Sequence, residues 1–171
     1  MRAVLIVLLV SLIAYLLSRK SATAALAPAL SGGQNPLLIQ DIKDVAQAEG
    51  VPAASLYAIA ATEQGTGQSA EWNSNAVNLS DPYGGAWGLT QVLAGTAASL
   101  GIEVPQELMN PVAALTATAK YLRKYSSNVD NIAEDAQVYN AGPNAGFTDT
   151  AYIQKALTYA HEWPNVAGSA A

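Results

Sequence analysis

Cysteine is absent from this chain of 171 residues, histidine occurs once, and charged residues make up only 12% of the sequence. Without cysteine the chain has neither a disulfide framework nor a thiolate metal site, and the lone His161 cannot form a zinc centre. We therefore predict no metal site and no cofactor. His161 is interpreted as a surface residue, because nothing in the sequence pairs with it.

Positive charge is also scarce in most of the chain. Arg2, Arg19 and Lys20 supply three of the eight basic residues, whereas all thirteen acidic residues follow residue 20. From Ser21 onward five basic residues stand against thirteen acidic ones, a formal charge of -8. Such a surface repels phosphate backbones, which excludes a nucleic-acid partner. With 51% hydrophobic residues, the length allows one well-packed domain and a short extra segment.

The first twenty residues are typical of a membrane segment. Residues 3–17 are apolar except for Ser11, and basic residues stand on both sides of this run. We predict an uncleaved transmembrane anchor over 1–20, with its orientation open because both ends are basic. A cleaved signal peptide is the alternative, with residues 25–27 (Ala-Leu-Ala) as the cleavage site, although paired cations directly after the apolar run argue against it. Residues 21–35 are mostly small and are interpreted as a flexible linker.

Helical periodicity dominates from residue 36 onward, and the alternation typical of strands is almost absent. We therefore predict an all-α domain over 36–163, with short helices around one cleft, and a tail over 164–171. Asparagine-proline pairs and glycines mark the helix ends. The predicted helices run from Pro36 to Gly50, from Pro52 to Gly65, from about Trp87 to Leu100, from Pro111 through Tyr125, from Asp130 or Asn131 to Tyr139, and from about Asp149 to Glu162, with a long loop from Gly65 to Gly85.

Glu63 occupies an unusual place for an acidic residue. It continues the helical apolar stripe of Leu56, Ile59 and Ala60, and a glycine ends the helix two residues later. Loss of water and the negative end of the helix dipole both disfavour the ionised carboxyl, so we predict that the pKa of Glu63 is raised. A carboxylic acid that stays protonated near neutral pH suits a general acid, and glycoside cleavage is the reaction class that most often requires one.

Several short motifs accompany Glu63. They are, in order, residues 49–63 (Glu-Gly-Val-Pro leading to Glu63), 85–91 (GAWGLTQ), 110–111 (NP), 121–122 (YL), 139–143 (YNAGP) and 152–155 (YIQK). Their order and spacing resemble the lysozyme-like catalytic domain of the soluble lytic transglycosylase family. Two positions depart from the family pattern, since Gln64 stands where serine usually follows the glutamate and Thr90 stands where methionine is usual.

The resemblance implies a lysozyme-like fold and an enzyme that cleaves the β-1,4 bond between N-acetylmuramic acid and N-acetylglucosamine in peptidoglycan. In this family the reaction uses no water and leaves a 1,6-anhydromuramoyl end, so one acid/base residue suffices, and by position that residue is Glu63. The motifs also imply a set of residues that bind the substrate. These are Gly85, Ala86, Trp87, Gln91, Tyr139, Asn140 and Tyr152.

Some aromatic residues have roles that the motifs do not decide. The phenol of Tyr139 is predicted to hydrogen-bond Glu63 and hold its orientation. Tyr152 fits core packing and cleft lining equally well. Other aromatic rings in or beside the long loop are placed to stack on sugar rings. They belong to Trp72, Tyr83 and Trp87.

Two other functions stay open. A hydrolytic muramidase on the same fold would need a second carboxylate, for which the loop residues Glu71 and Asp81 are the candidates. A module that binds the wall without turnover would use the groove alone, as part of an envelope or virion-entry complex. We expect a membrane-anchored protein that faces the peptidoglycan, in a phage particle that must pass the host wall or otherwise in the bacterial inner membrane and periplasm.

Overall fold

The computed structural model describes residues 33–82, 84–102 and 104–169. The predicted anchor and most of the predicted linker therefore lie outside the described residues, as does Tyr83. Within residues 33–169 no helix is both long and apolar enough to cross a bilayer. The elements are α1 (Pro36–Glu49), α2 (Ala53–Gln64), a 3₁₀ helix (Ser69–Glu71), β1 (Val77–Asn78), β2 (Ala86–Trp87), β3 (Val92–Leu93), α3 (Ala94–Ser99), a second 3₁₀ helix (Pro105–Met109), α4 (Pro111–Tyr125), α5 (Ile132–Ala141) and α6 (Thr150–Ser169).

The mostly helical architecture is confirmed, and the helix starts follow the predicted capping residues. The side chain of Asn35 accepts a hydrogen bond from Leu37 N at 3.1 Å, one residue before a proline that begins α1. Asn110 accepts from Val112 N at 2.9 Å in the same way at α4. These contacts satisfy amide groups that the first turn of a helix leaves without partners, so the helix starts are encoded locally.

Helix α2 lies at the centre of the domain. It packs against α6, α1, α5 and α4, and every residue from Ser55 to Thr62 is buried. The predicted stripe of Leu56, Ile59 and Ala60 is therefore buried, but the opposite face of the helix is buried as well. A helix that is apolar on all sides belongs in a core. Glu63 is thus the first side chain of α2 that reaches the edge of the core as the helix ends.

The predicted helix starting near Trp87 is wrong, because a three-stranded antiparallel sheet of two-residue strands takes the place of its first half. Trp87 pairs with Val77 on one side and with Val92 on the other, and α3 begins only at Ala94. Between β2 and β3 the backbone has positive φ angles at Gly88 (75°) and Gln91 (54°), which no α-helix accommodates. The predicted long loop likewise contains β1 and the first 3₁₀ helix.

Helix α6 extends well past its predicted end at Glu162, through Pro164 to Ser169. The extension is stabilised by packing, because Val166 is 6% exposed and the ring of Trp163 lies 5.3 Å from that of Tyr57. Lys43 of α1 donates a hydrogen bond to the carbonyl of Ala167 at 2.8 Å. Residues 164–169, predicted to be part of a tail, are therefore helical and contact the core.

The first described residues, Gly33 to Asn35, are hydrogen-bonded to the loop after α2, although the sequence assigned them to a flexible linker. The Gln34 side chain donates to Gly67 O at 3.0 Å and accepts from Ser69 Oγ at 2.8 Å. Asn35 N donates to the same Ser69 Oγ at 2.6 Å, and Ala70 N donates to Gly33 O at 3.0 Å. These bonds fix the start of the domain on the 67–70 loop.

Candidate active site

Glu63 lies on the last turn of α2, one residue before the helix ends, and its side chain is partly buried. The hydroxyl of Tyr152, in the first turn of α6, donates a hydrogen bond to Glu63 Oε1 at 2.7 Å. Lys155 is three residues further along α6 and donates to the carbonyl of Thr62 at 3.0 Å. Residues three apart on a helix share a face, so α6 directs a phenol and an ammonium group to the end of α2.

The electrostatic environment of Glu63 favours its protonated form. Burial raises the pKa of this carboxyl, whereas the hydrogen bond from Tyr152 and the positive charge of Lys155 lower it, and the net direction is upward. The pKa of Tyr152 is itself raised, first by burial and then by the nearby carboxyl of Glu63. The phenol therefore remains a hydrogen-bond donor over the whole pH range in which Glu63 titrates.

The predicted hydrogen bond between Tyr139 and Glu63 is wrong. The Tyr139 hydroxyl donates to Thr90 O at 2.7 Å and lies 3.4 Å from Thr118 Oγ1, so its single proton is already committed. The negative charge of Glu63 contributes, after burial, to the raised pKa of Tyr139. The phenol that contacts the carboxyl is Tyr152, the residue for which the sequence left two interpretations open.

The segment 85–91 forms the second wall beside Glu63, and its side chains mostly bind backbone. Ala86 is buried, and Trp87 is half-buried with its Nε1 donating to Gly84 O at 3.1 Å. The Gln91 carboxamide donates to Gly88 O at 2.9 Å and to Ala76 O at 3.2 Å. Gln91 thus holds the turn between β2 and β3 in shape.

Gln64 connects the end of α2 to both flanking segments, and the sequence did not predict this role. Its Oε1 accepts a hydrogen bond from Asn73 N at 2.7 Å, and its Nε2 donates to Leu89 O at 2.8 Å. A serine side chain at this position is too short to reach both groups. The residue that departs from the family pattern next to Glu63 therefore joins the long loop to the 85–91 segment through two hydrogen bonds.

Two adjoining cavities form a groove that is lined in part by predicted substrate-binding residues. The first, of about 270 Å³, contains Gln91, Tyr139 and Asn140. The second, of about 490 Å³, shares Leu93, Thr96 and Tyr121 with the first and continues past Tyr125 to Asn144. The ring of Tyr121 meets the ring of Tyr139 edge-on at 6.0 Å and that of Tyr125 at 4.8 Å. A row of three tyrosines therefore lines one wall.

The predicted site residues fall into two groups. Gln91, Tyr139 and Asn140 line the groove, whereas Glu63, Tyr152 and residues 85–87 do not border either cavity. Tyr139 belongs to the first group, and the charge of Glu63 contributes to its raised pKa. Asn140 is exposed and donates to Asp149 Oδ2 at 3.0 Å; Asp149 Oδ1 in turn accepts from Tyr152 N at 3.0 Å.

Another predicted contact, made by Trp72, is not formed. Trp72 is only 8% exposed and packs on Tyr57 with ring centroids 5.6 Å apart, so the prediction that it stacks on sugar is wrong. A second carboxylate beside Glu63, for which Glu71 and Asp81 are the candidates, stays a prediction. In the part of the chain that the structure covers, no group of three or more His, Asp or Glu side chains could hold a metal ion.

Comparison with known proteins agrees with this geometry. A family described as "Transglycosylase SLT domain" matches residues 40–160, which span α2 with Glu63, the 85–91 segment and the start of α6 with Tyr152. Neither the curated proteins nor the solved structures that were compared include a match. Because this match covers most of the chain, the chain belongs to the transglycosylase SLT domain family, and this membership implies a glycan-cleaving enzyme that acts on peptidoglycan.

Proposed function

We propose that this protein is a peptidoglycan lytic transglycosylase in which Glu63 is the single acid/base residue. The observation that carries the proposal is the setting of Glu63: a carboxyl at the end of a buried helix, with a raised pKa and a phenol 2.7 Å away. The glycan would lie along the groove lined by Tyr139 and Asn140, with the scissile bond beside Glu63.

The proposed reaction needs one proton to be moved twice. Protonated Glu63 donates its proton to the glycosidic oxygen, the bond from C1 of N-acetylmuramic acid to that oxygen breaks, and N-acetylglucosamine leaves with a free 4-hydroxyl. The resulting carboxylate removes the proton from the C6 hydroxyl of the same muramic acid. The C6 oxygen then bonds to C1, which gives the 1,6-anhydro ring and returns Glu63 to its acid form.

The lytic and hydrolytic routes differ in the number of acids that they require. A hydrolytic muramidase needs a second carboxylate within roughly 5–9.5 Å of the first to act as nucleophile or to activate water. The hydrogen bond at Glu63 comes from a phenol, and the charge that lowers its pKa is the ammonium of Lys155. A lytic reaction requires no second acid, because the substrate supplies both the nucleophile and the stabilisation of the oxocarbenium centre.

Product analysis tests the proposal. Purified peptidoglycan digested with the wild-type protein should yield anhydromuramoyl ends, and Glu63→Gln should lower the cleavage rate by at least about a hundredfold while the fold and glycan binding persist. Glu71→Gln is the matched control and should cleave like the wild type. Reducing muramic ends would instead identify a hydrolase, and intact glycan with the wild type would identify a binding module. Wild-type activity in Glu63→Gln would remove Glu63 from the mechanism.

We further propose that residues 1–20 anchor the enzyme in a membrane with the catalytic domain facing the wall. The apolar run between basic residues supports this anchor. The full chain should stay in the membrane fraction after alkaline washing, whereas a chain beginning at Gly33 should not. Release of the full chain by the wash would contradict the anchor. A phage setting predicts the intact protein in purified virions, and its absence from them would favour a bacterial envelope.

A further inference from the structure

The few basic residues of the domain are distributed unevenly. Of the five that follow Ser21, Lys43 and Lys155 donate hydrogen bonds to the carbonyls of Ala167 and Thr62. The other three are exposed and lie together on α4, where they line a shallow surface depression of about 270 Å³. These three residues, Lys120, Arg123 and Lys124, are called the basic row below.

The basic row is largely unneutralised. Arg123 Nη1 lies 3.6 Å from Glu49 Oε2 of α1, in a pair whose arginine is 57% exposed. Within the described residues, no acidic side chain forms an ion pair with Lys120 or Lys124. Like charges three and four residues apart on a helix repel each other, so the row costs the helix stability. In a domain with thirteen acidic residues, its charge is available to an outside anion.

Two members of the basic row, Lys120 and Lys124, adjoin residues that line the groove. Tyr121 and Tyr125 of α4 line the groove, and each is the next residue after a lysine of the row. The ammonium of Lys124 lies 5.1 Å from the centroid of the Tyr125 ring. Because neighbouring residues differ by about 100° around a helix, the lysines stand just outside the wall on which Tyr121 and Tyr125 stand. A chain lying in the groove would have its outward substituents beside these cations.

The chemistry of the substrate identifies those substituents. The alternating sugars of peptidoglycan carry no charge, whereas the peptide stem attached to each muramic acid carries free carboxylates. We propose that the basic row binds the carboxylates of a peptide stem whose glycan occupies the tyrosine-lined groove, so that the enzyme prefers stem-bearing strands over stripped ones. This inference rests on the function proposed above, because it takes the groove to hold glycan.

Binding measured without turnover tests this separately from catalysis. The probe is Glu63→Gln in the full chain, bound to sacculi that have free stem carboxylates and have been freed of phosphate polymers with hydrofluoric acid. The comparison is the same glycan after an amidase has removed the stems and the lactyl carboxylate that hydrolysis leaves on each muramic acid has been converted to its methylamide, so that the stripped strands carry no charge. We expect roughly tenfold tighter binding to the stem-bearing material, since two or three exposed ion pairs contribute additively. The preference should shrink as salt is raised, because these charges are exposed.

Variants of the two free lysines assign the effect to the basic row. Lys120→Gln with Lys124→Gln should abolish the preference for stems and leave binding to stripped glycan unchanged, whereas Lys120→Arg with Lys124→Arg should retain it. Gln106→Glu with Gln154→Glu changes the net charge by the same amount at exposed positions outside α4 and should also retain it. Arg123 is kept because of its contact with Glu49.

Each outcome decides the inference. Equal binding of stem-bearing and stripped sacculi, or an undiminished preference in the double glutamine variant, would overturn it. A lysine dependence seen only before the hydrofluoric acid treatment would overturn it too, and would identify a phosphate polymer as the ligand. Failure of the wild-type protein to cleave either material would instead contradict the proposed function. The binding comparison would still test the role of the basic row, because it does not depend on cleavage.

Discussion

Replacing Asp135 with asparagine is expected to stabilise the folded protein at neutral pH and to have a much smaller effect in acid. Asp135 lies on α5 and is completely buried. Ser126 Oγ donates to its Oδ1 at 2.7 Å, but within the described chain its Oδ2 has no hydrogen-bond partner. Burial raises the pKa of Asp135 from 3.8 to about 6; the hydroxyls of Ser126 and Ser55 oppose this shift, and the charges of Glu134 and Asp130 add to it.

The sign and size of the effect follow from proton binding. Because the pKa is higher in the folded state, the folded protein holds a proton between pH 3.8 and about 6 that the unfolded chain has lost. Stability is therefore greatest below the lower value and falls as the pH rises through this window. At about 1.36 kcal/mol per pKa unit, Asp135 costs the folded state roughly 2–3 kcal/mol at neutral pH. Asparagine carries no charge at either pH and keeps an acceptor for Ser126.

Urea unfolding of the full chain at about pH 4 and about pH 7.5 provides the measurement. The difference in free energy of unfolding between Asp135→Asn and wild type should be roughly 2–3 kcal/mol larger at the higher pH. Taking the difference at each pH cancels the titration of the other acids. Glu71→Gln makes the same chemical change at an exposed position and should stay within about 0.5 kcal/mol of wild type at both pH values. An equal effect of Asp135→Asn at both pH values would refute the reasoning.

Three further predictions concern the site. Tyr152→Phe removes the hydrogen bond that lowers the pKa of Glu63, so the alkaline limb of the pH profile of kcat/KM should move to higher pH. The value of kcat/KM at its pH optimum should fall about tenfold. An alkaline limb that does not move would contradict the role of this hydrogen bond. Gly88→Ala should prevent folding or lower the melting temperature severely, because the new methyl group would collide with Leu108 O. Gly101→Ala is the control: its backbone has a similar positive φ but open space around it, so it should lower the free energy of unfolding by only about 1–2 kcal/mol. Gln64→Ser should lose both bridging hydrogen bonds, lower the free energy of unfolding by about 1–3 kcal/mol, and speed protease cleavage within residues 65–76; unchanged cleavage there would show that other contacts hold the loop.

Local signals predicted the helices well. Asn35, Asn110 and Asn131 each begin a helix through contacts within the next three residues, and Gly50 and Gly65 end helices with left-handed backbone. Such information lies entirely within a few neighbouring positions, so it can be read from sequence. The end of α6 could not be read in this way. There, contacts from residues far away in the chain outweigh the local effect of Pro164.

The site was predicted only where its parts are local. The partly buried place of Glu63 at the end of its helix was predicted because the apolar stripe and the following glycines are contiguous in sequence. The partner of Glu63 was not, because the choice between the phenols of Tyr139 and Tyr152 depends on how α5 and α6 pack against α2. The predicted helix at the turn after Trp87 was wrong for a related reason. A positive φ is uncommon for any residue other than glycine, and at Gln91 it is held by hydrogen bonds from the side chain to Gly88 O and Ala76 O.

The hydrogen bonds between Gly33–Asn35 and the 67–70 loop determine how mechanical load enters the domain. Tension applied to the chain ahead of Gly33 would be borne first by these bonds rather than by α1. Tyr57 of α2 also donates to Gly67 O, at 2.7 Å, so the same loop transmits the pull directly to the helix that carries Glu63. Such tension would therefore load the 67–70 loop and, through Tyr57, α2 before it loads α1.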